Sequence, residues 1–311
     1  NTKVLSYGVS SRYPIAPKVQ ITYLGAILIG LMFPFGILFL LKLVDTKINT
    51  RDDLVAGLKN ISILGETPFV ENTKIESTDR GIVAEATRVI RSSLSFQLQT
   101  QKANVLLVTS TIKGEGKSFV SYNLAQSYAA LGKKVIIVGA DLRNPQLHKF
   151  LDQKRSNIGI STYLSDPTTT IDSLITKNNT QENLDFLPTG AIPPNPSELL
   201  MRPCLKVLID SLKQRYDYII VDSAPLLLVS DTTPLLSLCD VVVYVARAQF
   251  TDKKTLPFIM DMQARPNTPP FGMVLNGLIA GPTSRYNYGY KYRYSYGYSY
   301  NYGYGYGYGK D

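Results

Sequence analysis

Two kinds of apolar run divide the chain. The first is a single long block, Val19 to Leu41 (VQITYLGAILIGLMFPFGILFLL), 23 residues without a charge. As a helix it spans roughly 34 Å, enough to cross the ~30 Å hydrocarbon layer of a bilayer. Gly25, Gly30, Pro34 and Gly36 lie inside it, as membrane helices tolerate. The run is too long for a signal peptide, and no small-residue cleavage site follows it. Lys3, Arg12 and Lys18 precede the block; Lys42, Lys47 and Arg51 follow it, offset by Asp45, Asp52 and Asp53. Basic residues on both sides leave the orientation open.

The second kind is short and recurs. VLLVTS, KVIIVGAD, LDFLPTG, DYIIVDSAP, DVVVYVAR and FGMVLNGL are apolar runs of strand length. Between them KSFVSYNLAQSYAALG, PSELLMRPCLKVLIDSLKQRY and the stretch from Lys253 to Ala264 read as helices. Continuous apolar strands alternating with helices predict an α/β fold, a mostly parallel sheet covered on both faces. Upstream, TRDDLVAGL reads as a short helix capped by Thr50 or Asp52, and ISILGETPFV as a short strand ending at a Gly/Pro turn. The polar ENTKIESTDRG after it reads as a flexible connector.

Apolar residues make up 44% of the 311 and charged residues 18%, so the chain can build a core and is not a disordered polymer. The net charge of +9 suits an anionic partner such as a membrane surface, a nucleic acid, an acidic polymer or a nucleotide. Two cysteines, Cys204 and Cys239, and one histidine, His148, exclude a disulfide scaffold and lack the spacing of a zinc site. A Ser-His-Asp hydrolase would depend on His148, and no G-x-S-x-G turn accompanies any serine.

The chemistry collects where strands end. VLLVTSTIKGEGKS reads strand, Gly-rich loop, helix. In that context Gly114 and Gly116 let backbone N–H groups face phosphate, Lys117 reaches the β- and γ-phosphates, and the Ser118 hydroxyl is placed for Mg²⁺. Thr111, Lys113, Glu115 and Phe119 complete the candidate nucleotide loop, although the strict pattern wants glycine where Thr111 stands. Asp141 and Asp222 follow two further apolar strands, where a carboxylate is placed to hold a metal water beside the loop. Lys117, Asp141 and Asp222 are therefore the catalytic candidates, and Ser118, Asp141 and Asp222 the metal candidates. Arg143 and Arg247 also follow strands, but spacing assigns neither a role. Phosphoryl transfer needs mainly positioning and charge neutralisation, which these parts supply without a histidine.

TS…GEGKS, ADLRNP, GAIPPNPSELL and DYIIVDSAP, with a tyrosine cluster at the C-terminus, resemble the bacterial tyrosine autokinases (BY-kinases) of exopolysaccharide and capsule synthesis, which are polysaccharide copolymerases. The likeness runs from about residue 13 to the end. It implies a P-loop NTPase-type sheet with ATP and Mg²⁺ as cofactors. Lys117 and Ser118 match Walker A, Asp141 the second aspartate motif, and Asp222 Walker B. Glu85, Arg88 and Arg91 match the family's E-x-x-R-x-x-R oligomer motif, and helical spacing puts them on one face. Without the likeness, the triad reads as a solvated helix face. One departure stands out: Gly139 occupies the first position of the family's Asp-x-Asp pair. Either Asp141 does both jobs, or tyrosine deprotonation relies on positioning and Mg²⁺. Lys113 stands where the family commonly has proline.

The organisation this implies is an extracytoplasmic stub (1–18), a transmembrane helix (19–41), a juxtamembrane linker (42–82), a P-loop tyrosine kinase domain (83–282) and a disordered tyrosine-rich tail (283–311). The start at Asn1 reads as a fragment, and the likeness places a first membrane helix and an extracytoplasmic domain upstream. It further implies a bacterial inner-membrane protein with a cytoplasmic kinase domain, assembled as a homo-oligomeric ring, an octamer in the family. The implied partners are a phosphotyrosine phosphatase and an outer-membrane polysaccharide exporter, with no nucleic acid. In the tail Tyr286, Tyr288, Tyr290, Tyr292, Tyr294, Tyr296, Tyr298, Tyr300, Tyr302, Tyr304, Tyr306 and Tyr308 alternate with Gly, Ser, Asn, Lys or Arg. They read either as phosphate acceptors or as a sticky aromatic polymer. Two rivals remain: a membrane positioning ATPase of the ParA/MinD kind, without tyrosine phosphorylation, and a non-catalytic scaffold.

Overall fold

The computed structural model describes residues 18–70, 81–98, 103–150, 156–178, 181–227 and 232–279. The tyrosine tail and most of the N-terminal stub lie outside the described residues. The chain forms two compact units, Asn1–Thr46 and Lys47–Asp311.

Among its described residues the first unit holds one helix, α1 (Val19–Val44), with Pro34 inside it. It extends three residues beyond the expected Leu41. Large apolar side chains such as Phe33 and Met32 are 72% and 78% exposed. The helix is long and apolar enough to cross a membrane.

The second unit is an eight-stranded sheet. Its strands are β1 (Ser62–Pro68), β2 (Asn104–Ser110), β3 (Val135–Gly139), β4 (Thr176–Lys177), β5 (Leu184–Leu187), β6 (Tyr218–Asp222), β7 (Val241–Arg247) and β8 (Phe271–Leu278). They lie in the order β1-β8-β7-β2-β6-β3-β5-β4. All pairings are parallel except β4 with β5. The period-two pleat divides each strand between two cores. Leu107, Ile136, Val138, Ile219 and Tyr244 enter one; Leu106, Val108, Ile137, Ile220 and Val243 enter the other. Helices α3 (Ile82–Ser95) and α4 (Lys117–Ala129) cover the second face. The first is covered by α2 (Arg51–Gly57), α5 (Ile160–Ser165), α6 (Pro196–Leu200), α7 (Cys204–Lys213), α8 (Thr233–Leu236) and α9 (Leu256–Gln263).

Two sequence expectations change. The segment read as a linker over 42–82 supplies working parts of this unit. Thr50 caps α2, with Thr50 and Asp53 bonded reciprocally, and β1 pairs along β8, which would otherwise expose its outer edge. Ile48 is fully buried and exchanges two backbone bonds with the turn after β7, Ile48 N to Thr251 O at 2.9 Å and Gln249 N to Ile48 O at 2.8 Å. Second, the single helix expected from Pro196 breaks into α6 and α7, because Pro203 has no N–H to donate and disfavours helical geometry at Arg202. The mostly parallel sheet is as expected; the two-residue antiparallel β4 at its edge is too short to leave a periodicity.

Candidate nucleotide site

The strand order places the site. β2 and β6 are neighbours whose connections diverge, β2 leading on to β3 on one side and β6 to β7 on the other, so a crevice opens beyond their carboxyl ends. The loop from β2 into α4 crosses that crevice. Gly114 and Gly116 have φ of +95° and +97°, backbone that side chains rarely adopt. A Cβ on Gly116 would also lie 1.9 Å from Nδ2 of Asn276.

On one flank, β6 and β3 deliver carboxylates. Asp222 is 2% exposed; its Oδ2 accepts from Ser118 Oγ at 2.6 Å and its Oδ1 from Ser121 Oγ at 3.4 Å. Burial pushes its carboxyl up to about 6, with Lys117 pulling down and Asp141 pushing up. Those opposing influences put Lys117, Asp141 and Asp222 in one electrostatic cluster. Asp141 Oδ1 accepts from the Asn144 N–H at 2.9 Å, and Arg143 reaches Ser197 Oγ at 3.2 Å. Gly139 lies in register with Asp222. The space an aspartate at 139 would need is taken by Thr189, whose Oγ1 donates to Gly139 O at 2.8 Å and would stand 2.7 Å from an added Cβ.

On the other flank the loop is tied down. Glu115 is fully buried, so its side chain turns inward rather than toward a ligand, and burial raises its carboxyl above the usual range. The carboxylate accepts from the Ile112 N–H at 2.8 Å and from the Thr251 hydroxyl. Asn276 Nδ2 donates to Glu115 O at 2.8 Å, and Arg247 Nη1 to Gly114 O at 3.0 Å. Thr111 is buried and accepts from Tyr244 Oη at 3.1 Å, while the Phe119 ring joins the core. Lys113 and Gly114 stay exposed. Thr251, Asn276 and Ser121 carried no signal in the sequence, because ties from β7, β8 and the body of α4 follow no local spacing.

Donor chemistry fits a small hard cation: one or two carboxylates, a hydroxyl and room for substrate phosphates. Ser118, Asp222 and Asp141 are the residues present that could hold Mg²⁺; among the described residues no group of three or more His, Cys, Asp or Glu side chains gathers.

Glu85, Arg88 and Arg91, the triad that resembles an oligomer motif, are divided. Glu85 and Arg88 pair with each other at 2.7 Å on the exposed side of α3. Arg91 turns to α4, donating to Ser127 O at 2.5 Å and Ser127 Oγ at 2.8 Å.

Fold and loop together define a P-loop nucleotide-binding domain. A family profile described as an AAA domain matches residues 103–264. The CapB protein of Staphylococcus aureus, named for a tyrosine-protein kinase, is 31% identical over 71% of this chain and 93% of its own. Tyrosine-protein kinase etk of Escherichia coli is 27% identical over 92% of this chain. The solved kinase domain of Escherichia coli ETK superposes with a TM-score of 0.69 at 27% identity, covering 84% of this chain and all of that one. The chain belongs to this AAA-domain family and, within it, to the bacterial tyrosine kinases. It spans 42% of the length of etk.

Proposed function

We propose that this chain is the ATP-using part of a membrane-anchored tyrosine autokinase that phosphorylates its own C-terminal tyrosines in trans within a homo-oligomer. The observation that carries the reading is the Ser118–Asp222 bond at 2.6 Å beside the buried Lys117, at the mouth of the Gly-rich loop. Lys117 neutralises charge on the β- and γ-phosphates as the bond to the leaving oxygen breaks, and the α4 N-terminus adds N–H donors. Mg²⁺, when bound, supplies further charge neutralisation. Ser118 and Asp222 are already paired in the arrangement that would receive it. With Gly139 in the first motif position, Asp141 is the carboxylate left to orient the acceptor hydroxyl and take its proton.

The tail Arg285–Asp311 carries four cations and one anion, a net +3. Each phosphate adds about −1.5 to −2, so about two phosphates cancel that charge and more reverse it. In this reading the unphosphorylated tail enters a neighbour's site and holds the ring, and phosphorylation loosens it. Such cycles at the bacterial inner membrane would govern surface polysaccharide polymerisation and export, with a phosphatase and an exporter as partners.

The test is intact mass of the detergent-solubilised chain before and after Mg·ATP. The expected result is a ladder of phosphate additions on tail peptides, absent in Lys117→Met. ATP turnover with no phosphotyrosine would favour a positioning ATPase instead. Light scattering on the Glu85→Ala/Arg88→Ala/Arg91→Ala variant tests the assembly surface: unchanged oligomer mass returns the triad to an ordinary helix face.

A further inference from the structure

The peptide planes of the loop are held from outside the nucleotide site. A trans peptide points its C=O and N–H in opposite directions. Fixing Gly114 O therefore aims the N–H of Glu115 the other way, and fixing Glu115 O does the same for the N–H of Gly116. Arg247 Nη1 holds the first oxygen at 3.0 Å and Asn276 Nδ2 the second at 2.8 Å. Neither of the two N–H groups meets an acceptor among the described residues. Unpaired backbone donors turned to one side of a loop are the means by which such loops hold phosphate oxygens.

The brace has a second tier. Asn276 Oδ1 accepts from Thr67 Oγ1 at 2.7 Å, which orients the amide so that its NH₂ faces Glu115 O. Thr251 Oγ1 donates to the Glu115 carboxylate and accepts from the Arg247 N–H at 2.8 Å. The end of β7 and β8 thus hold two consecutive peptide oxygens, with β1 and the turn after β7 orienting the residues that do so.

We infer that Arg247 and Asn276, with Thr251 holding the Glu115 side chain, are positioning residues that pre-orient the Glu115 and Gly116 N–H groups toward a nucleotide's phosphate chain. None of the three side chains is required to touch the nucleotide. The inference rests on the nucleotide-site reading above but not on tyrosine being the acceptor.

The experiment measures Mg·ADP affinity by calorimetry and the thermal midpoint with and without Mg·ADP, on the full chain in detergent. Variants are Arg247→Met at the surface, Asn276→Ala, and the pair Thr251→Val and Thr251→Ser. Arg247→Met and Asn276→Ala should each weaken binding about tenfold, the scale of one lost hydrogen bond. Asn276 is neutral, so its effect cannot come from lost charge attraction. Thr251→Val should weaken binding similarly, and Thr251→Ser, which keeps the hydroxyl, should restore it to within about twofold. The ADP-induced rise in midpoint should shrink in the weakened variants even where the nucleotide-free midpoint is unchanged. Wild-type affinity in Arg247→Met and in whichever of Asn276→Ala and Thr251→Val folds overturns the inference. Failure of the wild type itself to bind Mg·ADP overturns the nucleotide-site reading and this inference with it.

Discussion

The two flanks of the loop are built on opposite principles. Toward β7 and β8 the Gly114 and Glu115 peptide oxygens each have a donor, and the Glu115 carboxylate is buried among partners. Toward β3 and β6 the groups are acids, and the most buried of them, Asp222, is held against its own solvation preference. The first flank is complete without a ligand. The second is electrostatically unfinished, because Lys117 and two hydroxyls offset only part of the cost of burying the Asp222 carboxylate, whose carboxyl stays raised. Stability and function part company here: one side shapes the cradle, the other holds a charge that its own neighbours offset only in part.

Lys117 stands between the flanks, and its removal should have the largest effect. Lys117→Met should cut autophosphorylation by several orders of magnitude, since phosphoryl transfer relies on electrostatic stabilisation of the developing charge. Phosphotyrosine at wild-type level in this variant would break the assignment of the loop as the transfer site.

Asp222→Asn tests the unfinished flank in two directions at once. Activity should fall by about a hundredfold or more, the scale of losing one electrostatic contact to the reacting phosphates. Stability without metal should rise. The folded carboxyl sits at about 6, against roughly 3.9 unfolded. Between those values the folded state binds more protons, so wild-type stability should fall as pH climbs through that window and stay low above it. The difference amounts to about 3 kcal/mol at neutral pH. Urea melts of metal-free protein at pH 4 and pH 7 should show this loss in wild type and not in Asp222→Asn. A variant less stable than wild type at pH 7 would show that Asp222 is a stabilising pair member rather than a strained acid.

How much of this was legible beforehand follows from how local each feature is. VLLVTS into GEGKS, and the aspartates ending KVIIVGAD and DYIIVDSAP, are written in contiguous residues, so strand, loop and acid could be read directly. The departure at Gly139 was legible too, but not Thr189 filling its space from 50 residues away. The brace is long-range: Asn276 meets Glu115 across a separation of 161 residues and Thr67 across 209. Pattern marks β1 as a strand yet leaves it outside the domain, because it gives a strand's existence and not its partner. Pro203 was read through as helix because the apolar period continues on both sides of it.

Restoring the family's aspartate should sharpen the contrast by overloading the acidic flank. In Gly139→Asp the new Cβ meets Thr189 Oγ1 at 2.7 Å and Thr189 N at 3.1 Å. The side chain also adds a third acid beside Asp141 and Asp222. Overpacking and like-charge repulsion together should cost about 2 kcal/mol in the metal-free state. Thr189→Ala in the same chain should recover part of it by removing the closest atom. A Gly139→Asp variant as stable as wild type would mean that Thr189 moves freely and that the space is not truly occupied.

The smallest effect should come from the braced flank, at Tyr244. This side chain is fully buried, stacks near Phe271 and donates to Thr111 Oγ1 at 3.1 Å. Thr111 opens the loop, but its hydroxyl fixes no peptide plane that faces a phosphate. Tyr244→Phe keeps the ring and deletes one hydroxyl, so it should lower stability by about 1 kcal/mol, the net worth of a buried hydrogen bond. Mg·ADP affinity should change by less than about twofold, since the ties at Gly114 and Glu115 remain. Urea midpoints and calorimetry on the same preparation read both quantities. A tenfold loss of affinity with stability intact would show that the whole wall of the loop acts as one positioning unit, and would erase the distinction between bonds that hold the fold and bonds that aim the loop.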